Sequence, residues 1–221
     1  ISNATLVIKD GRIVAAGAGL AVPAGAVEVD CKGKFIYPSF IDIYTDYGTP
    51  QRQPTTGGGG FNFFAQQQYD NAVKGPFGWN QAIKTDVDVY KVFSVNDAAA
   101  KSMREAGFGT VLTHVKDGVA RGTGAVVTLA NVKENLVIVK EKASAHYSFN
   151  KGTSTQAYPS SMMGYVSLLR QTFLDAGWYK TKPVEEGFNA TLQSWNDVQG
   201  LPQIFEANDK WNDLRADRIG D

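Results

Sequence analysis

Histidine and cysteine are nearly missing from these 221 residues, which carry two histidines, His114 and His146, and one cysteine, Cys31. A single thiol excludes a disulfide within the chain, so cysteine usage assigns no redox compartment. Set in Val-Glu-Val-Asp-Cys-Lys-Gly-Lys, Cys31 reads as a small packed residue rather than a reactive thiol. An excess of charge is missing too, because 22 Lys and Arg balance 22 Asp and Glu. Without a basic stripe or run there is no electrostatic footprint for nucleic acid, and none is expected as a partner. No apolar run approaches the ~20 residues that span a bilayer. A signal-like stretch is also lacking, and from Ile1 to Arg218-Ile219-Gly220-Asp221 the chain reads as mature or fragmentary.

What is present is a globular balance, 43% hydrophobic and 20% charged, which argues against disorder. The length fits one large domain or two small ones. Residues 5–9 and 12–16 are short apolar runs around Asp10-Gly11, a strong hairpin signal. Residues 27–30 and 34–37 read as a second pair around Lys32-Gly33. Residues 40–44 suit a fully buried strand. A long irregular insertion, 46–86, follows; it holds Pro50, Pro54, Gly57 to Gly60 and the aromatics Phe61, Phe63, Phe64, Tyr69, Phe77 and Trp79. A loop of that length is functional or disordered more often than not, and its aromatics suggest a packed loop or contact surface. Its glycines match no phosphate-binding fingerprint.

From residue 87 helix and strand alternate. Asp97 is placed to cap a helix to Ala106 with Gly107 as its stop. Residues 110–114, 125–129 and 136–139 are apolar strand-like runs. Pro159 opens a helix through Asp175 with Met162, Val166, Leu169, Phe173 and Ala176 as its stripe and Gly177 as its end. Leu192, Trp195 and Val198 mark another helix, residues 203–206 a short strand, and Asn208 or Asp209 a cap for a last helix bearing Trp211, Leu214 and Ile219. This rhythm predicts a parallel α/β layout with right-handed crossovers.

The run Tyr37-Pro38-Ser39-Phe40-Ile41-Asp42-Ile43-Tyr44-Thr45-Asp46 resembles the signature of the metal-dependent amidohydrolases, imidazolonepropionase-like branch, where Pro-Gly-Phe-Ile-Asp leads into His-x-His. Ala4 to Gly17 resembles that family's opening hairpin, Val29 to Lys34 its approach to the barrel, and Ala106 to Thr113 a helix-to-strand transition. Gly152 to Gly164 is similar to a subgroup of large bacterial secreted amidohydrolase-like proteins, in which a first domain can carry a decayed metal site. The resemblance implies a (β/α)8 barrel with a small β-sandwich built from both ends of the chain. A complete barrel takes about 250 residues. The expected fold is therefore α/β: residues 1–38 as half of the sandwich, and 39–221 as the first part of the barrel with the 46–86 insertion. The remainder of the barrel, further along the protein or on a second chain, would be its partner.

The same resemblance implies hydrolysis of C–N bonds other than peptide bonds. Zn or another divalent metal lowers the pKa of its water from near 16 to about 7. Tyr44 and Asp46 stand where the family places its first two histidines, and Glu206, in Leu-Pro-Gln-Ile-Phe-Glu-Ala, where a later one would be. A phenol titrating near 10 is a poor ligand at neutral pH. No bridging lysine stands out, with Lys140 and Lys151 the candidates. His114 reads as a strand-terminal histidine at a Lys116-Asp117-Gly118 turn, or as a group at the catalytic face of the barrel; His146 reads as structural. Ser160-Ser161 reads as a helix cap without a nucleophile elbow. Arg121-Gly122-Thr123-Gly124 reads as a tight turn, or as an anion-holding cation, and Glu185-Glu186 as a solvated pair.

The expectation is an amidohydrolase-family protein in which this segment is a catalytically decayed scaffold without a metal. Two alternatives stand beside it. One is an active hydrolase with an Asp46–Glu206 carboxylate site. The other is an envelope binding module that engages a protein through residues 57–79. By resemblance alone the location is the bacterial periplasm, cell envelope or exterior.

Overall fold

The computed structural model describes residues 2–50, 67–182 and 187–220. The Gly57 to Phe64 stretch and Glu185-Glu186 lie outside the described residues. The chain divides into two units, Ile1–Pro38 and Ser39–Asp221, forming a mixed α/β structure with a separate two-stranded and a five-stranded sheet.

In the first unit, β1 (Ala4–Lys9) and β2 (Arg12–Ala18) pair antiparallel, with Lys9 opposite Arg12. Asp10 and Gly11 both have positive φ, 50° and 72°, the backbone that a two-residue hairpin turn matching the strand twist demands. The second pair of strands expected at 27–37 does not form. The turn is there, with Lys34 N–H donating to the Cys31 carbonyl at 2.9 Å and Gly33 at φ 75°. Its flanks find no cross-strand partner, and Val27, Val29 and Phe35 stay exposed.

In the second unit the sheet order is β3 (Phe40–Thr45), β4 (Phe108–Thr113), β5 (Ala120–Thr128), β6 (Ile138–Ser148) and β7 (Gln203–Glu206). β3 with β4 and β6 with β7 are parallel, but β5 is antiparallel to both of its neighbours. The expected all-parallel layout is corrected here. Only six residues, 114–119, link β4 to β5, and a parallel crossover needs a dozen or more, so the chain turns back. β3, β4, β6 and β7 therefore share one direction, and β5 begins where those four end.

Among the described residues β3 is an edge strand, not the buried one expected: Phe40, Ile41 and Ile43 are exposed, because β4 is its sole strand partner there. Helix α1 (Asp97–Glu105) is capped by Asn96, whose side chain accepts from Ala99 N–H, one residue before the expected cap. Gly107 follows at φ 96°. After the short α2 (Glu134–Val137), the long α3 (Met162–Lys180) starts three residues beyond Pro159, behind its Ser161 cap, and runs through Gly177. Its buried face is Leu168, Leu169, Thr172, Ala176 and Tyr179, while Phe173 is exposed. The expected stripe is therefore corrected at Phe173: the helix is apolar nearly all round, and packing rather than sequence pattern selects its buried face. α4 (Ala190–Asp197) and α5 (Lys210–Gly220) complete the unit, the latter capped by Asp209 Oδ1 accepting from Trp211 and Asn212 N–H.

Two apolar clusters hold this unit. One joins Ala120, Ala145 and Tyr147 of the sheet to Leu168, Leu169 and Ala176 of α3 and Trp195 of α4. The other joins Val111, Ala125 and Val127 to Ala100 of α1, Tyr47, Val89 and Phe93. The end of the 46–86 insertion and the residues just after it are bound to the sheet by bridges Ile83–Ala120 and Asp88–Thr123.

Candidate functional site

The strand directions bring five polar side chains from five strands to one end of the sheet. Tyr44 comes from the end of β3, His114 from just past β4, Arg121 from the start of β5, His146 from near the end of β6, and Glu206 from the last position of β7. In parallel α/β folds the carboxyl ends of the strands are where sites are built. The reversed β5 supplies Arg121 because its amino end lies there.

Arg121, 4% exposed, is the hub. Its Nη1 lies 2.5 Å from Glu206 Oε2 and donates to the Tyr44 hydroxyl oxygen at 2.8 Å, while Nε donates to the Gly118 carbonyl at 3.2 Å. The Tyr44 hydroxyl in turn donates to Glu206 Oε2 at 2.5 Å. Burial, with the Glu206 hydrogen bond second, pushes the Tyr44 phenol up to about 12. Burial also raises the Glu206 carboxyl, but the Tyr44 hydroxyl and the Arg121 charge outweigh it and hold Glu206 below its ordinary value. At neutral pH the trio is an anion, a cation and a protonated phenol.

His114 and His146 stack face to face, ring centroids 3.8 Å apart and planes within 6°. Tyr44 lies 4.8 Å from the His114 ring. His114 N–H donates to the Thr45 carbonyl at 3.0 Å, which fixes β4 to β3 at this point. Burial first, then the charge of its neighbours, depresses His114 to about 2; burial and Arg121 depress His146 to about 3. Both rings are neutral at pH 7, too far from neutrality to act as general acid or base. His146 Nε2 meets Ser144 Oγ at 2.8 Å, while Nδ1 of His146 and both nitrogens of His114 have no hydrogen-bond partner among the described residues. An orphan of this kind costs about 1–3 kcal/mol.

Two glycines of β5 are tightly packed beside Arg121, and one of them borders the cluster. A Cβ at Gly124 would lie 2.5 Å from His146 Nε2 and 2.6 Å from Ser144 Oγ. One at Gly122, whose φ is 82°, would lie 2.0 Å from the Val87 carbonyl oxygen. The Arg-Gly-Thr-Gly run is thus a strand crowded on both sides rather than the tight turn its glycines suggested, and glycine inside a strand is the signal of such close approach. Lys116 was noted only as part of a turn, and Ser144 was not singled out; neither carries a sequence pattern of its own.

Tyr44 and Glu206 are in contact. Asp46 is not in the trio: its Oδ1 lies 3.7 Å from Lys116 Nζ, its side chain is 44% exposed, and Lys116 sits 4.8 Å over the Tyr44 ring. Lys140 lies near the start of β6, roughly 20 Å of strand away from His146. Lys151 Nζ donates to the Gln156 carbonyl at 2.8 Å, a loop brace. Ser161 caps α3, accepting from Gly164 N–H at 3.2 Å.

No protein-family model and no curated protein matches the chain. Among solved structures, an amidohydrolase from Thermotoga maritima is similar over 97% of this chain, with a TM-score of 0.71 and 20% sequence identity. The fold is amidohydrolase-like. This chain spans 56% of that protein's length.

The divalent metal that amidohydrolase resemblance implies does not fit the residues in this arrangement. Arg121 already neutralises Glu206 at contact distance. A metal at ~2.1 Å from an imidazole nitrogen lies in that ring's plane, and the second ring is parallel to the first and stacked on it, so one ion cannot meet both lone pairs. Among the described residues no three His, Cys, Asp or Glu side chains form a group able to hold a metal.

Proposed function

We propose that residues 39–221 are the opening part of an amidohydrolase-like (β/α)8 barrel, of the imidazolonepropionase-like kind, retained as a metal-free, catalytically silent scaffold. The protein it belongs to would be an amidohydrolase-family hydrolase acting on C–N bonds other than peptide bonds, with the chemistry carried elsewhere. The observation that carries this reading is the Arg121–Glu206–Tyr44 trio at the carboxyl ends of the strands. A fixed cation stands on the one carboxylate of the trio. The groups around it are locked in states that neither bind a metal nor exchange protons at neutral pH.

Two further features support it. Among the described residues β3 and β7 each pair on one side only, which suits a barrel whose other strands lie further along the protein or on a second chain. The Asp46–Glu206 alternative has less behind it, since Asp46 turns to Lys116 and Glu206 to Arg121.

The test is metal analysis of the purified full-length protein, each barrel assigned by substitution. The expected result is no metal that depends on Glu206. Stoichiometric Zn²⁺ lost on Glu206→Gln would overturn the reading.

A further inference from the structure

A surface helix ordinarily buries one apolar stripe and turns charged residues outward; α3 does not. Its buried face, with Leu168, Leu169 and Ala176, packs on Ala120, Ala145 and Tyr147 of the sheet. Its outward side is apolar as well: Met163, Phe173, Leu174 and Trp178 are 81%, 60%, 64% and 51% exposed. Phe173, Leu174 and Trp178 fall within about one and a half turns and so form one patch. Scattered apolar residues on a surface are ordinary, but a contiguous patch of large ones marks a contact surface. The exposed charges of this helix are of one sign. Arg170 and Lys180 face solvent, and Lys182 follows just past the helix with its Nζ 5.0 Å from the Tyr179 ring centroid. Asp175, the acid of α3, is half-buried and accepts from Gln171 Nε2 at 2.6 Å.

We propose that the outward face of α3 is a membrane-contact surface: Phe173, Leu174 and Trp178 enter the boundary between headgroups and acyl chains of an anionic lipid layer, and Arg170, Lys180 and Lys182 meet its headgroups. The proposal goes beyond the metal-free reading above and does not depend on it.

Completion of the barrel would leave this face open. Strands added beside β3 or β7 extend the sheet sideways, whereas α3 lies on the sheet with its patch directed away from it. The neighbouring helices are already in place. Asn196 Nδ2 of α4 donates to the Ala176 carbonyl at 2.8 Å, and Arg170 Nη2 reaches the Arg218 carbonyl of α5 at 3.5 Å. A second copy of the chain, seated face to face, would bring Arg170, Lys180 and Lys182 near cations of the same sign, a cost that an anionic surface turns into attraction. The residue types suit lipid too. Tryptophan places its ring at the level of the interface, while lysine and arginine lay their stems along apolar surface and hold their charged heads in the polar layer. Helices that lie in the interface plane bind by this same pairing of apolar area with basic charge. Because the other face of α3 is committed to the sheet, the contact is surface attachment. No helix among the described residues is long and apolar enough to cross a membrane.

The experiment is co-sedimentation of the full-length protein with vesicles, one set of phosphatidylglycerol and phosphatidylcholine in equal parts and one of phosphatidylcholine alone. Wild type is expected to bind the anionic vesicles at least about tenfold more tightly than the neutral ones, and less tightly as salt is raised. Leu174→Asp with Trp178→Asp is expected to lose at least about tenfold in binding, and so is Arg170→Gln with Lys180→Gln. All four side chains are exposed, and an unchanged far-UV spectrum and urea midpoint check that each double variant is folded. Trp178→Phe is expected to keep most of the binding and to lose most of the blue shift in tryptophan emission that anionic vesicles produce in wild type. No binding to anionic vesicles, or wild-type binding by the folded Leu174→Asp, Trp178→Asp variant, overturns the proposal. Self-association in analytical ultracentrifugation that this variant abolishes, without vesicle binding by wild type, overturns it in favour of a second copy on the face. Each of these outcomes leaves the proposed function standing.

Discussion

Ile1–Pro38 and Ser39–Asp221 are held together by different means. In the first unit no described residue is buried, and Val29, Phe35 and Tyr37 are 78%, 85% and 78% exposed. Its shape comes from local chemistry: a turn whose two central residues have positive φ, and a ladder that the turn sets in register. The second unit has two apolar clusters and a polar cluster whose members are drawn from five strands. A lone two-stranded hairpin is marginal at best in water, and below ~40 residues a chain rarely buries enough to stand alone. Turn chemistry can thus specify a conformation without stabilising it, whereas stability comes with burial. In this protein burial is confined to the second unit among the described residues.

The sharpest way to test that contrast is to cut the ion pair of the buried Arg121. Glu206→Gln leaves Arg121, 5% exposed at its side chain, without a counter-charge. Breaking one side of a buried pair costs about 3–5 kcal/mol, and the partial exposure of Glu206 puts the expected loss near the lower end, about 3 kcal/mol. Urea denaturation of the variant measures it, and a loss below about 1 kcal/mol would mean that the pair is solvated in solution. Next comes the apolar core. Leu168, fully buried between α3 and the sheet, should cost about 2–5 kcal/mol as Leu168→Ala, read as a shift in urea midpoint at unchanged m-value.

A third prediction concerns pH. His114 and His146 are neutral when folded and titrate near 6.5 when free. Below that pH the unfolded chain binds protons that the folded chain refuses, so stability is full above 6.5 and declines as pH falls, until about 3 for His146 and about 2 for His114. Each group contributes a slope of ~1.4 kcal/mol per pH unit, so at pH 5.5 the pair together costs about 2–3 kcal/mol. Glu206, whose carboxyl is held below its ordinary value, adds a loss of the same sign under more acid conditions. Denaturation midpoints at pH 7.5, 6.5 and 5.5 measure the slope. It should flatten in the His114→Gln, His146→Gln double variant, and an unchanged slope there would exclude the pair as its source.

The legibility of the molecule divides along similar lines. Asp10-Gly11 and the strand at Gln203–Glu206 were readable because the information is local: a turn dipeptide, a short apolar run. The 27–37 strands were misread because strand-like composition says nothing about whether a partner strand is there. β5 was misread because its first residues, Ala-Arg-Gly-Thr-Gly, alternate for steric reasons rather than apolar ones; the glycines answer to Val87, Ser144 and His146, which no local window contains. The stripe expected for α3 held at Leu169 and Ala176 but failed at Phe173, because an all-round apolar helix leaves the choice of face to tertiary packing. For the candidate site, resemblance drew attention to Tyr44 and Glu206, but their bond joins residues 162 positions apart. The cation between them was visible only as one arginine in a glycine-rich run. Asp46, equally prominent in sequence, sits two residues further along and one step outside the cluster.

The smallest expected effect is the one that most directly probes the first unit. Ile13 faces Ile8 across the hairpin, yet both side chains are largely exposed, 67% and 62%. Ile13→Ala removes a β-branched residue from a strand and a cross-strand apolar contact, each a matter of tenths of a kcal/mol on an exposed surface. For the 221-residue chain the expected change in stability is therefore under about 0.5 kcal/mol, several-fold less than Leu168→Ala, although both substitutions shorten an aliphatic side chain to a methyl. The comparison becomes decisive when the same pair is made in the full-length protein. If residues 1–38 are half of a sandwich completed by distant strands, Ile13 becomes a core residue there and Ile13→Ala rises toward the large-to-small range of 2 kcal/mol or more. A value that stays below about 0.5 kcal/mol in both contexts would mean that nothing covers the Ile8–Ile13 face, and the half-sandwich reading of the first unit would fall.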